Sequence, residues 1–165
     1  MPINYPGEYV LLAKTLRQQR VDFMASYSVL GGGFNFKFVD DMPDIAENMI
    51  DVNHWYNPGS ATGQAMRART EADGKYFTFE VYCAYMSIMF LADGFERAGT
   101  TDSEAVNASL AASELEVDFM PYDKTNMVNG QNMGSRAVAI QAQKGDVQII
   151  APSKYASANA VFPRG

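Results

Sequence analysis

Residues 76–99 read YFTFEVYCAYMSIMFLADGFERAG, and residues 100–113 read TTDSEAVNASLAAS. The first run is rich in aromatic residues and methionine and ends in a charged turn. It predicts a long amphipathic helix over residues 77–98, with Gly99 in the C′ position, where a positive φ is needed. Thr101 followed by Glu104 has the spacing of a capping box and opens a second, alanine-rich helix to about residue 112. Residues 137–152 (AVAIQAQKGDVQIIAP) hold β-prone runs on either side of Lys144-Gly145-Asp146, which signals a hairpin.

Working outward, residues 1–8 carry Pro2, Pro6 and Gly7 and read as loop. Residues 9–19 predict a helix with Val10, Leu11, Leu12, Ala13 and Leu16 on its apolar side and Lys14, Arg17, Gln18 and Gln19 on its wet side. Residues 22–29 (DFMASYSV) predict a strand that opens into Gly31-Gly32-Gly33. FNFKF at 34–38 is ambiguous between helix and strand, and residues 44–48 close a helical turn. Residues 49–56 predict a strand alternating at Ile50, Val52 and His54, stopped by Asn57-Pro58-Gly59. A helix over 62–72 begins at Ser60 or Thr62 and ends at Asp73-Gly74. Residues 114–122 read as extended, 123–135 as a polar loop, and the tail to Gly165 as partly mobile. Alternating helices and strands favour a layered α/β fold with a closing antiparallel hairpin.

The 165 residues suit one ordinary domain or two small lobes, and 47% hydrophobic with 19% charged residues is a globular balance. A formal net charge of −6, with 13 scattered Lys and Arg, disfavours a nucleic-acid surface, which needs clustered cations. It equally disfavours an anionic membrane surface. No run of about 18 apolar residues predicts a membrane span. The single cysteine, Cys83, excludes an internal disulfide and reads as a small buried hydrophobe. The N-terminus shows no basic stretch followed by an apolar run, so no signal peptide is expected in this chain.

Candidate chemistry is sparse. His54 is the only histidine and sits beside Trp55 in an apolar strand, so it reads as structural rather than as a base. GSATG at 59–63 places its serine second, unlike a nucleophile elbow. Asp40, Asp41, Asp44 and Glu47 cluster at spacings that suit a solvated helix entry rather than a metal site. Gly31-Gly32-Gly33 follows a strand but lacks the G-x-G-x-x-G spacing of a phosphate cradle. No catalytic residue, metal or cofactor is expected. Pockets of α/β folds lie beyond the carboxyl ends of strands. At such positions the chain offers Ser26, Tyr27 and Ser28, with Asn4 and Tyr5 near its start. Tyrosine and serine there supply an apolar wall and neutral hydrogen-bonding groups.

Five segments in order carry a resemblance. They are NYP at 4–6 before a helix, DFMASYSV at 22–29, IAENMIDVNHWYNP at 45–58, FERAG at 95–99 and the closing hairpin. Together they resemble the C-terminal half of type I periplasmic solute-binding proteins, the branched-chain amino acid receptor family of ABC importers, over nearly the whole chain. The resemblance implies an incomplete type I periplasmic-binding-protein-like α/β fold with parts of two lobes. Residues 1–48 would belong to the second lobe, 49–57 to a hinge crossing and 58–114 to the first lobe. Residues 115–165 would form a return crossing, the closing hairpin and the tail. A second stretch of hinge is expected near 115–123.

The resemblance also implies a periplasmic, non-enzymatic solute receptor that docks on ABC permease subunits, present here as a C-terminal fragment. Asn4 matches a ligand-touching position, with Tyr5 beside it. Tyr27 matches the position where amino-acid-binding members carry an acid for the ligand ammonium, and Ser26 and Ser28 flank it. The departure from an acid implies a neutral or carboxylate-bearing ligand, aromatic ones included, because an unpaired buried ammonium is costly. Without the other half, the long helix would leave Phe79, Tyr82, Met86, Met89, Phe90 and Ala92-Asp93 bare. Self-association or a companion fragment is therefore expected. A ligand-sensing regulatory domain of the same fold, or a small α/β enzyme, is the alternative.

Overall fold

The computed structural model describes residues 6–21, 24–29 and 36–162. The chain forms two compact units. Unit 1 holds residues up to Trp55, residues 74–78 and residues from Ala137 onward; unit 2 holds residues 56–73 and 79–136.

Unit 1 is built on a four-stranded sheet in the order β1-β2-β5-β6. Its strands are β1 (Tyr27–Val29), β2 (Ile50–Asn53), β5 (Val138–Gln143) and β6 (Asp146–Ala151). β1 and β2 run parallel, with Ser28 opposite Asp51. β2 pairs antiparallel with β5, Asn53 opposite Val138, and β5 pairs antiparallel with β6, Ile140 opposite Ile149. The β5–β6 turn places Lys144 (φ 56°) and Gly145 (φ 76°) in the left-handed region, the geometry that matches the twist of a two-residue hairpin.

Helices α1 (Pro6–Gln18), α2 (Phe36–Asp41) and α3 (Pro43–Ala46) complete unit 1. The ambiguous FNFKF segment resolves in favour of helix from Phe36. On α1 the buried positions are Tyr9 and Ala13, four apart, while Leu11 is exposed. Of the residues expected on its apolar side, Ala13 is buried, Val10 and Leu16 are half-buried, and Leu11 and Leu12 are exposed. Tyr9 Oη lies 3.1 Å from Ser26 Oγ and donates to Met49 Sδ at 3.4 Å, and its ring meets Phe38 edge-on. The buried Val138, Ile140, Ala142, Val147 and Ile149 supply the apolar part of the sheet's core face.

The tail, expected to be partly mobile, is tied back to the sheet as far as it is described. Ser157 N–H donates to Ile149 O, and Val161 N–H donates to Oε1 of the fully buried Gln141 at 2.9 Å. Gln141 Nε2 returns a bond to Val161 O at 3.0 Å.

Unit 2 comprises α4 (Ala61–Ala72), α5 (Phe79–Ala98), α6 (Ser103–Ala111) and the small β3–β4 hairpin, Met127–Val128 against Gln131–Asn132. Ser60 caps α4, its Oγ accepting from Gly63 N at 3.0 Å. α5 starts two residues later than expected. Phe77 stays outside it, fully buried in unit 1 with its ring edge-on to Trp55. α6 is capped by Asp102, whose carboxylate accepts from Ala105 N at 3.0 Å, rather than by Thr101. α5 and α6 approach closely at Gly94, where an added Cβ would clash with the Leu110 side chain. The segment read as a polar loop contains β3–β4, turned by Asn129-Gly130 with both φ positive.

The apolar face of α5 also differs from expectation. Tyr82 and Met86 are buried, while Tyr85, Ile88, Leu91 and Phe95 are exposed together with Phe79. Tyr82 stacks at a tilt on Tyr56, and burial, ahead of nearby Cys83 and Glu80, pushes its phenol far above the ordinary range. Burial likewise raises the Cys83 thiol, which is half-buried.

Candidate functional site

The carboxyl ends of the parallel pair β1 and β2 are where an α/β sheet of this type gathers ligand-facing groups. The residues expected at a strand's carboxyl end lie instead at the start of β1: Ser26 precedes the strand, and Tyr27 opens it and is 37% exposed. Ser28, next along the strand, points to the opposite face and is buried at 1% exposure. Its hydroxyl donates to Asp51 Oδ1 at 3.0 Å. Ser26 shares hydrogen-bond distance with Tyr9. The structure thus gathers Ser26 and Ser28 on the core side, engaged with protein partners, and leaves Tyr27 as the side chain turned to solvent. Asn4, Tyr5 and the Gly31-Gly32-Gly33 turn lie outside the described residues.

Two residues of β2 emerge that the pattern of the sequence did not single out. Asp51 is fully buried and Asn53 nearly so, while Val52 and His54 between and after them are half-buried. The polar Asp51 and Asn53 face the core, while of the positions expected there Ile50 is buried and Val52 and His54 are half-buried. Asn53 Nδ2 donates to Asp51 Oδ2 at 3.2 Å, and Asn53 Oδ1 accepts from His54 N at 2.7 Å. Ser28, Asp51, Asn53 and the His54 amide therefore form one hydrogen-bonded series across β1 and β2. A buried carboxylate is tolerable only with such partners. The signal available in the sequence was the i, i+2 spacing of Asp51 and Asn53, which an alternating strand places on one face.

The acidic cluster at 40–47 is dispersed in its contacts. Tyr76 Oη donates to Asp41 at 3.3 Å, and Glu47 accepts from Lys144 N at 2.8 Å. Among the described residues no group of three or more His, Cys, Asp or Glu is placed to hold a metal ion. No helix among them is long and apolar enough to cross a membrane.

In unit 2 a separate polar knot joins the start of α4 to residues 118–119. Ser60 Oγ donates to Asp118 Oδ2 at 2.7 Å, Asn57 Nδ2 donates to Asp118 O at 2.8 Å, and Asn57 N–H donates to Phe119 O at 2.8 Å. The Ser60 hydroxyl is the main cause that holds the Asp118 carboxyl below its ordinary value.

No protein-family profile matches the sequence. No curated protein matches it either. Solved structures do. A leucine-binding protein LivK from Thermotoga maritima superposes with a TM-score of 0.68 at 19% identity over 90% of this chain and 42% of that one. A protein assigned to branched-chain amino acid ABC transport from Silicibacter pomeroyi gives a TM-score of 0.72 at 16% identity, covering 96% of this chain and 45% of that one. A similarly assigned protein from Rhodospirillum rubrum gives 0.65 at 15% identity, covering 89% and 42%. The chain spans less than half the length of the solved structures it matches. The fold is that of part of a type I periplasmic binding protein.

Proposed function

We propose that this chain is part of the solute-binding component of an ABC-type importer, acting in the periplasm and binding without chemical conversion. The observation that carries this reading is the shared fold over 89–96% of the chain with proteins described as leucine-binding or as branched-chain amino acid transport components. On this reading residues 1–48 belong to the second lobe and 58–114 to the first. Residues 49–57 form the hinge crossing, and 115–165 form the return crossing, hairpin and tail. Ligand capture would act through the crossings and present the bound form to permease subunits.

The ligand site on this reading is anchored by Tyr27, the exposed first residue of β1, and Asn4, Tyr5, Ser26 and Ser28 are the further positions that the resemblance assigns to it. A phenol in place of an acid favours a small neutral or carboxylate-bearing compound, aromatic ones included, over a free amino acid. The exposed run on α5 supports a further polypeptide layer there, from a second copy or a companion chain.

Titration calorimetry with benzoate, phenylacetate and leucine tests the ligand class. The expected order places the aromatic carboxylates above leucine. Tyr27→Glu should reverse it, improving leucine relative to phenylacetate by about a hundredfold, as a restored charge pair of 2–3 kcal/mol would give. Micromolar binding of leucine by the unsubstituted chain would overturn the assignment of ligand class.

A further inference from the structure

Beside Ser28, Asp51 and Asn53, the core face of the unit 1 sheet carries apolar residues. Val138, Ile140, Ala142, Val147 and Ile149 are all buried on it. A carboxylate at position 51 is anomalous in that company, since an apolar residue of similar size would be buried more cheaply. The carboxylate is also bonded in a directed way. One oxygen, Oδ1, receives the hydroxyl of Ser28 on β1, and the other, Oδ2, receives the amide of Asn53 further along β2. That second bond orients the Asn53 side chain so that its Oδ1 faces the His54 amide. His54 and Trp55 are the last residues before the chain passes from unit 1 to unit 2.

We propose that Asp51 is a positioning residue: it ties β1 to β2 through Ser28 and, through Asn53, fixes the backbone at His54, where the chain leaves unit 1. Its meaning for binding rests on the reading of Tyr27 as a ligand contact; its structural action does not. A carboxylate serves here because it is an acceptor at both oxygens, so it dictates that Ser28 and Asn53 both donate. Asn53 is thereby forced to present its carbonyl, not its amide, to His54. Valine at this position would fill the space and lose that dictation.

Amide hydrogen exchange on the full chain, read residue by residue by NMR, tests this. In Asp51→Asn the new side chain still accepts from Ser28 through its oxygen but now donates toward Asn53. Asn53 must turn over, and the His54 amide loses its acceptor. The expected result is about tenfold faster exchange at His54, with Tyr27–Val29 unchanged. The double variant Asp51→Asn with Asn53→Asp reverses donor and acceptor while keeping the series intact. It should restore His54 protection to within about threefold. Restoration by the exchange of two groups is not a result that generic core packing produces.

Unchanged exchange at His54 in the single variant would overturn the proposal. So would failure of the double variant to restore it while far-UV circular dichroism stays native. If Asp51→Asn does not fold, Ser28→Ala is the second variant. It should accelerate exchange at the β1 amides and spare His54, and uniform acceleration across the sheet would overturn the proposal. Titration with phenylacetate separates the two readings. An exchange pattern as described, with no binding to the unsubstituted chain, would sink the ligand assignment and leave the positioning role standing.

Discussion

At the scale of single residues, several buried polar side chains fix the backbone beside them. Ser60 illustrates it in unit 2, where one hydroxyl accepts from the first turn of α4 and donates to Asp118. Ser60→Ala should therefore cost about 1 kcal/mol in urea unfolding, the usual value of a lost N-cap. The effect should also depend on pH. The Asp118 carboxyl is held below its ordinary value chiefly by that hydroxyl, so its contribution is fully present above the ordinary carboxylate range. It is lost as pH falls through the lowered folded-state value. The gap between Ser60→Ala and the parent should therefore narrow on acidification below about pH 4, and a gap that widens there would contradict the assignment. This cap was legible in the sequence as a serine before a helical run. Asp51 was not, because an acid in a strand reads by default as a solvent-facing residue, and only register with Ser28 shows its face to be the core.

Among elements, those with strong local signals were the ones read correctly. The β5–β6 hairpin, the end of α5 at Gly99 and the start of α4 are set by turn and cap chemistry within a few residues. Errors arose where the decision is tertiary. Phe77 looks like the first turn of α5, yet it packs on Trp55 instead. Asn129-Gly130 carries a hairpin signal, but the strands beside it are two residues each and too polar to stand out. The face of α5 was misassigned because aromatic and methionine residues surround most of that helix. The structure buries Tyr82 and Met86 and leaves Ala84, Ile88, Leu91 and Phe95 exposed at spacings of four, three and four. Such a seam is the kind that pairs with another element. Analytical ultracentrifugation at micromolar concentration should accordingly give a mass above the 18.2 kDa of one chain. Ile88→Glu with Leu91→Glu should return it to one chain with the helical signal retained. A parent that sediments as a single chain would remove the argument for a further layer on α5.

For the whole molecule, connectivity matters more than any one contact. Neither unit is a continuous stretch: unit 1 is assembled from three segments and unit 2 from two. β2 and β5, hydrogen-bonded partners in the unit 1 sheet, are separated in sequence by all of unit 2. When unit 2 is folded, the excursions through residues 56–73 and 79–136 are already compact. Were unit 2 to melt, unit 1 would have to hold the ends of long flexible loops, at a cost on the order of 3 kcal/mol in closure entropy. The stability of unit 1 must then depend on unit 2 through the chain alone. The single tryptophan allows this to be read, because Trp55 is buried in unit 1. Gly94→Val places bulk against Leu110 at the α5–α6 seam of unit 2 and should destabilise that unit by about 1–3 kcal/mol. The Trp55 fluorescence midpoint in urea should fall with it, although Gly94 belongs to the other unit. If helical ellipticity is lost at lower urea while the Trp55 midpoint stays at its parent value, the units are thermodynamically independent. The discontinuous topology would then contribute nothing to the stability of the sheet.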